Sequence, residues 1–125
     1  MKKTARNWVE RAEEDIQVLQ QLDVTQTPNV AGVQAQQAVE KFLKACWIEL
    51  GSAIPMTHDL EELWVGVQNQ IKLEIDETAL IRLSPFGTSA RYPAKRITPN
   101  EAIWAVGVAL ETCAKLKSWL EARPV

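Results

Sequence analysis

The sequence predicts an all-α protein, an up-and-down helical bundle of four to five helices. Three observations carry that prediction. Apolar residues recur at helical spacing through most of the 125 residues. Helix-start chemistry precedes several of these stretches, most clearly the capping box Thr98-Pro99-Asn100-Glu101. The one alternating stretch, Ile71 to Ile75, has no second strand to pair with. The length suits a single domain over residues 1–125, since two separate cores would each be marginal.

The first helix is expected from Thr4, as its N-cap, to Leu22. Its stripe is Ala5, Trp8, Ala12, Ile16, Leu19 and Leu22. Asp15 projects onto that stripe. A carboxylate there needs a partner or an opening to water, unless it marks the rim. Thr27-Pro28-Asn29 reads as a turn. A second helix should run from Val30 to Leu50 and stop at Gly51. Its core face is Ala31, Ala35, Ala38, Val39, Phe42, Cys46 and Leu50. The opposite face carries Gln37, Glu40, Lys41 and Lys44, then turns apolar at Trp47 and Ile48. A helix apolar on two sides contacts two things, here a second helix or a partner subunit.

Thr57 is the expected N-cap of a third helix reaching about Gln70. His58, Asp59, Glu61 and Glu62 would fill its first turn, and Leu60, Leu63, Trp64 and Val67 its apolar face. Asp76 caps a fourth helix through Leu80, Ile81 and Leu83. Ser84 to Ile97 reads as the longest irregular stretch, with Arg91, Tyr92, Lys95 and Arg96 in it. The last helix runs from the Thr98 cap to about Ala122 on a core stripe of Ala102, Ala105, Val108, Ala109, Cys113, Leu116, Trp119 and Leu120.

Composition narrows the functions available. Fourteen Lys and Arg against sixteen Asp and Glu give a net charge of −2, which excludes a strongly basic nucleic-acid binder; no bulk DNA binding is expected. No apolar run approaches the roughly 18–20 residues that span a bilayer. The charged stretch Arg6 to Asp15 stands where a signal peptide needs its apolar core, so a cytoplasmic location is the default. Cys46 and Cys113 sit within apolar helical patterns and read as buried, reduced thiols. With one histidine in the chain, no metal site and no cofactor is expected. There is no glycine-rich phosphate loop, Gly-x-Ser-x-Gly, Cys-x-x-Cys or His-Glu-x-x-His.

What remains is a polar set in a particular order: Asp15; Gln37, Glu40, Lys41 and Lys44; Thr57-His58-Asp59; and Arg91-Tyr92. Singly, such residues are usually a solvated face. In sequence, Trp8 to Asp15, Gln36-Gln37-Ala38-Val39-Glu40-Lys41-Phe42-Leu43-Lys44-Ala45, Pro55-Met56-Thr57-His58-Asp59-Leu60 and Arg91-Tyr92-Pro93 resemble the HEPN domain family over nearly the whole chain. The resemblance implies a bundle of four to five helices, a homodimer, and a small nucleotidyltransferase encoded nearby as partner. The family also includes toxin ribonucleases, which carry Arg, four to six residues, then His. Here the positions that would hold that Arg before His58 are Gly51, Ser52 and Ala53. The resemblance therefore points to the non-catalytic, ligand-binding branch, and no catalytic residue is assigned.

The expected function is binding of a nucleotide or similar phosphorylated compound. The second helix would line a groove closed by the Arg91–Arg96 loop. Lys41, Lys44 and Arg91 would meet phosphate oxygens, His58 and Asp59 would supply hydrogen bonds, and Tyr92 would stack on a base. The alternative is a protein-interaction module of a HEPN and nucleotidyltransferase toxin–antitoxin pair. A third reading is a metal-independent ribonuclease with His58 as general base or acid and Arg91 as the phosphate cation. The Trp47–Ile48 pair on the second face of its helix is expected to contribute to a homodimer contact, unless Trp47 packs within the chain.

Overall fold

Asp76 accepts the Ala79 backbone N–H through its carboxylate at 3.1 Å, and Thr98 and Glu101 complete a reciprocal capping box. These local signals start helices where the sequence places them. The computed structural model describes residues 1–124, with the side chains at 89–91 outside the description. Its helices are α1 (Lys3–Gln21), α2 (Pro28–Glu49), α3 (Leu60–Val65), α4 (Gln68–Ile71), α5 (Glu77–Leu83) and α6 (Pro99–Glu121), with a 3-10 helix over Ser84–Arg91 between α5 and α6. The described residues contain no strand.

α2 is the central element and packs most extensively against α1 and α6. The pairs Lys2–Glu49 and Asp15–Lys41 make α1 and α2 antiparallel. Asn29–Ile97 and Glu49–Arg123 make α2 and α6 parallel, so the short helices form the return leg of the bundle. Alanines allow the close approach of these helices. Ala31, Ala35, Ala38 and Ala45 of α2 and Ala102, Ala105 and Ala109 of α6 are all fully buried. Larger side chains fill the space towards the short helices, among them Phe42, Leu43, Leu60, Leu63, Leu80 and Leu83. Each such leucine or phenylalanine contributes about 1.5–3 kcal/mol of burial. Cys46 and Cys113 are free thiols and buried.

α2 ends as a Schellman motif. Gly51 adopts φ +77°, its N–H donates to the Ile48 carbonyl at 2.9 Å, and the Ser52 N–H reaches the Trp47 carbonyl at 3.0 Å.

The structure differs from expectation at several points. α1 starts one residue early, at Lys3, so Thr4 is inside the helix and no side chain caps it. The expected third helix splits: α3 closes at Gly66, and α4 is a single turn ended by Lys72 in the left-handed region at φ 56°. That raises the helix number to six. Ser84–Arg91, expected to be irregular, is a 3-10 helix packed on α2. Thr57 is not the cap of α3. Asp59 is, accepting from the Glu61 N–H at 3.0 Å, while the Thr57 hydroxyl accepts from the Asp59 N–H at 3.1 Å.

Trp47 packs within the chain, the alternative to an interface role. It is half-buried, its indole N–H donates to the Leu63 carbonyl at 2.9 Å, and its ring occupies the space a Cβ at Gly66 would need. It packs α2 to α3 within the chain. Among the described residues no helix is long and apolar enough to cross a membrane.

Candidate functional site

Gln36, Glu40 and Lys44 stand at i, i+4 and i+8 on α2, so their side chains form one row. The row is a hydrogen-bond chain. Glu40 Oε1 accepts from Gln36 Nε2 at 3.1 Å, and Glu40 Oε2 accepts from Lys44 Nζ at 2.9 Å. The connector before α3 delivers a third donor, His58 Nδ1, to the same Oε2 at 3.0 Å. The second N–H of the Gln36 amide donates to the His58 backbone carbonyl at 3.2 Å, which fixes the connector against α2.

Burial of Glu40 pushes its carboxyl pKa up. The hydrogen bonds from Lys44, His58 and Gln36 outweigh that and hold it below the ordinary carboxylate value. Glu40 is therefore ionised near neutrality and acts as the acceptor, so His58 Nδ1 carries the proton. In the neutral imidazole the acceptor nitrogen is then Nε2. The His58 side chain is 74% exposed while that of Glu40 is 12% exposed, so the buried carboxylate orients a ring that faces solvent.

Beside this network lies a cavity of about 260 Å³, lined by Gln36, Gln37, Glu40, Lys41, His58, Ser84, Gly87 and Thr88. Two elements close it against α2: the connector carrying His58 and the 3-10 helix carrying Ser84, Gly87 and Thr88. The Ser84 hydroxyl also accepts the Leu60 N–H at 3.0 Å, tying that helix to the start of α3. Gly87 is small for a spatial reason: a Cβ there would overlap the Gln36 carboxamide oxygen.

The structure brings together Gln37, Glu40, Lys41 and His58 around the cavity, with Lys44 behind Glu40 and Asp15 behind Lys41. Lys41 Nζ lies 2.7 Å from Asp15 Oδ2, which gives the carboxylate on the α1 stripe its partner. Both lysines expected to meet phosphate thus already neutralise carboxylates. Asp59 is committed to capping α3 and does not line the cavity. Tyr92 is exposed, with Lys95 Nζ 5.6 Å from its ring centroid, and it does not line the cavity either. The Arg91 side chain lies outside the described residues.

Four lining residues carried no individual role in the sequence. Gln36 stood only within the motif on α2; its position four residues before Glu40 was the available signal. Ser84, Gly87 and Thr88 lay in a stretch without periodicity, and nothing local marks them as a cavity wall. The described residues hold no cluster of three or more His, Cys, Asp or Glu suited to a metal ion.

These features define a class: an all-helical domain whose central helix presents a buried carboxylate network to a small polar cavity. The chain matches the HEPN domain family over residues 5–121 and belongs to that family. A solved structure similar to it is that of TT1696 from Thermus thermophilus, with a TM-score of 0.77 and 22% identity over 94% of this chain and 99% of that one. That likeness is one of fold. No curated protein matches the chain.

Proposed function

We propose that this HEPN domain binds a small nucleotide-like ligand in the cavity between α2, the His58 connector and the Ser84–Arg91 helix. The observation that carries the reading is the Glu40–His58 pair at 3.0 Å, which fixes an exposed imidazole at a polar cavity. Gln37 offers an amide, Ser84 and Thr88 offer hydroxyls, and His58 offers an acceptor nitrogen. That mixture of neutral donors and acceptors suits a base or sugar edge. The volume, about 260 Å³, is just below the ~300 Å³ at which pockets for drug-sized ligands begin. It suits a base with its ribose, with any phosphate projecting outward.

Calorimetric titration with nucleosides and nucleotides tests the reading. Binding is expected, and it should weaken in His58→Ala and Gln37→Ala. No binding at millimolar ligand, or variants indistinguishable from wild type, overturns it. Family membership supports two further parts of the same proposal, a homodimer and a partner nucleotidyltransferase, in a domain acting in the cytoplasm. A toxin–antitoxin role belongs with that pairing, and co-purification with the neighbouring gene product is its test.

The oriented imidazole also favours a second reading, metal-independent RNA cleavage. His58 Nε2 would accept the 2′-hydroxyl proton while Glu40 stabilises the imidazolium. Against it, Lys41 and Lys44 are already paired with carboxylates. Cleavage of a fluorogenic RNA that disappears in His58→Ala supports this reading; no cleavage by wild type removes it.

A further inference from the structure

A second cleft opens on the other side of Lys41. It has a volume of about 400 Å³ and is lined by Asn7, Trp8 and Arg11 of α1 with Lys41 of α2. Lys41 also lines the polar cavity, so the two spaces share a wall. Spacing on α1 explains the grouping, because Asn7, Trp8 and Arg11 fall on one helical face beside α2.

The charges in this region are unequal. Lys41 is paired with Asp15 and Lys44 with Glu40. Arg11 is exposed and has no carboxylate within salt-bridge distance among the described residues. Of the two cations that line the cleft, Lys41 is neutralised by Asp15 and Arg11 is the one without a carboxylate partner among the described residues. Trp8 is half-buried beside it, with Lys44 Nζ 5.5 Å from its ring centroid. The indole thereby anchors the cleft wall and helps hold the Lys44 ammonium in place.

We infer that the Asn7–Trp8–Arg11–Lys41 cleft is an anion subsite that takes the phosphate of a mononucleotide whose base and ribose occupy the polar cavity. The inference rests on the nucleotide-binding reading for the cavity and adds the residue that reads the phosphate. Arg11 does so with a guanidinium that binds phosphate oxygens in pairs, and Asn7 adds an amide donor. The cavity alone has no uncommitted cation among the described side chains that line it, and the adjoining cleft has one. The ligand is a free nucleotide and not an RNA strand, since one exposed arginine in an acidic chain provides no track for a polyanion.

The test compares adenosine, AMP, ATP and tripolyphosphate by calorimetry against wild type, Arg11→Gln, Arg11→Lys, His58→Ala and Arg6→Gln. Arg6 is exposed on the same helix outside the cleft, so its variant controls for net charge. Loss of one charged hydrogen-bonding partner corresponds to about a tenfold or greater fall in affinity. AMP and ATP should lose that much in Arg11→Gln, part of it restored in Arg11→Lys, while adenosine binding and the melting temperature stay unchanged. If Arg11→Gln binds AMP as wild type does, or Arg6→Gln weakens it equally, the subsite is overturned; a loss of adenosine binding in His58→Ala then leaves the cavity reading standing. If adenosine does not bind wild type but tripolyphosphate binds and loses affinity in Arg11→Gln, the subsite stands and the cavity reading falls. If none of the four binds, both fall.

Discussion

Glu40 and His58 are joined across two elements: the carboxylate of α2 accepts from His58 Nδ1 at 3.0 Å while also accepting from Gln36 and Lys44. A single buried side chain thus holds three donors, one of them an ammonium. Its removal leaves all three without that acceptor, and most of the cost falls on Lys44, whose side chain is 12% exposed.

Glu40→Gln is therefore expected to lower stability by about 2 kcal/mol at neutral pH, measured by urea unfolding. The effect has a pH signature. The Glu40 carboxyl titrates below its ordinary value of 4.5 in the folded protein. Its stabilisation is complete above that value and is lost as pH falls through the folded pKa. The gap between wild type and Glu40→Gln should stay constant above that value and narrow as pH is lowered beneath it. Glu101, whose capping bonds also lower its pKa, shifts both proteins alike and cancels in the difference. A gap independent of pH would show that Glu40 acts through shape and not charge.

Gly87→Ala should disturb the cavity through the Gln36 carboxamide that lines it. The added methyl displaces the Gln36 carboxamide, which donates to both Glu40 and the His58 carbonyl. Loss of those two bonds is expected to cost about 1–3 kcal/mol. The resonances of His58 should shift with it in an NMR spectrum. An unshifted His58 would mean that Gln36 relaxes without releasing the connector.

Trp47→Ala is expected to unfold more easily by about 3 kcal/mol, because it removes a large ring and its bond to the Leu63 carbonyl. Sedimentation of the folded fraction should match wild type. A variant that changed association state at unchanged stability would return Trp47 to an interface.

Neither thiol should react in the native state. Burial pushes the Cys46 pKa up to about 12 and raises that of Cys113 as well. A bulky disulfide reagent should modify both at a rate limited by unfolding and release two equivalents in denaturant. Rapid modification of one equivalent in buffer would show that one helix face is open.

The long helices were legible because their signals are local. The Thr98–Glu101 box, the Asp76 cap and the Gly51 stop each act within a few residues, and the alanine-rich stripes of α2 and α6 repeat at helical spacing. The Lys41–Asp15 and Glu40–His58 pairs were legible only as groups of interesting residue types, since their partners lie 26 and 18 positions away. Helical projection placed Glu40 with Gln37, Lys41 and Lys44 opposite the core. In the structure α2 is covered on more than one side, and Glu40 is buried with its charge satisfied. Thr57 and Asp59 both had the chemistry of a cap; two residues of register decided whether Asp59 faced the cavity or the helix. The Ser84–Thr88 wall was not legible, because its placement comes from packing on α2.

The alanines of α2 couple regions of the molecule that share no hydrogen bond. Ala31, Ala35, Ala38 and Ala45 fix how closely the central helix lies between its neighbours, and the row from Gln36 to Lys44 rides on the same helix. A helix rotates by about 100° for each residue of slippage, so the row cannot adjust to a new core independently. A larger side chain at the fully buried Ala38 would press on the helix that carries the carboxylate two residues on. A change among the small residues of α2 is thereby felt at the Glu40–His58 pair as well as in the core, and should be tolerated best in company with changes in the residues facing them.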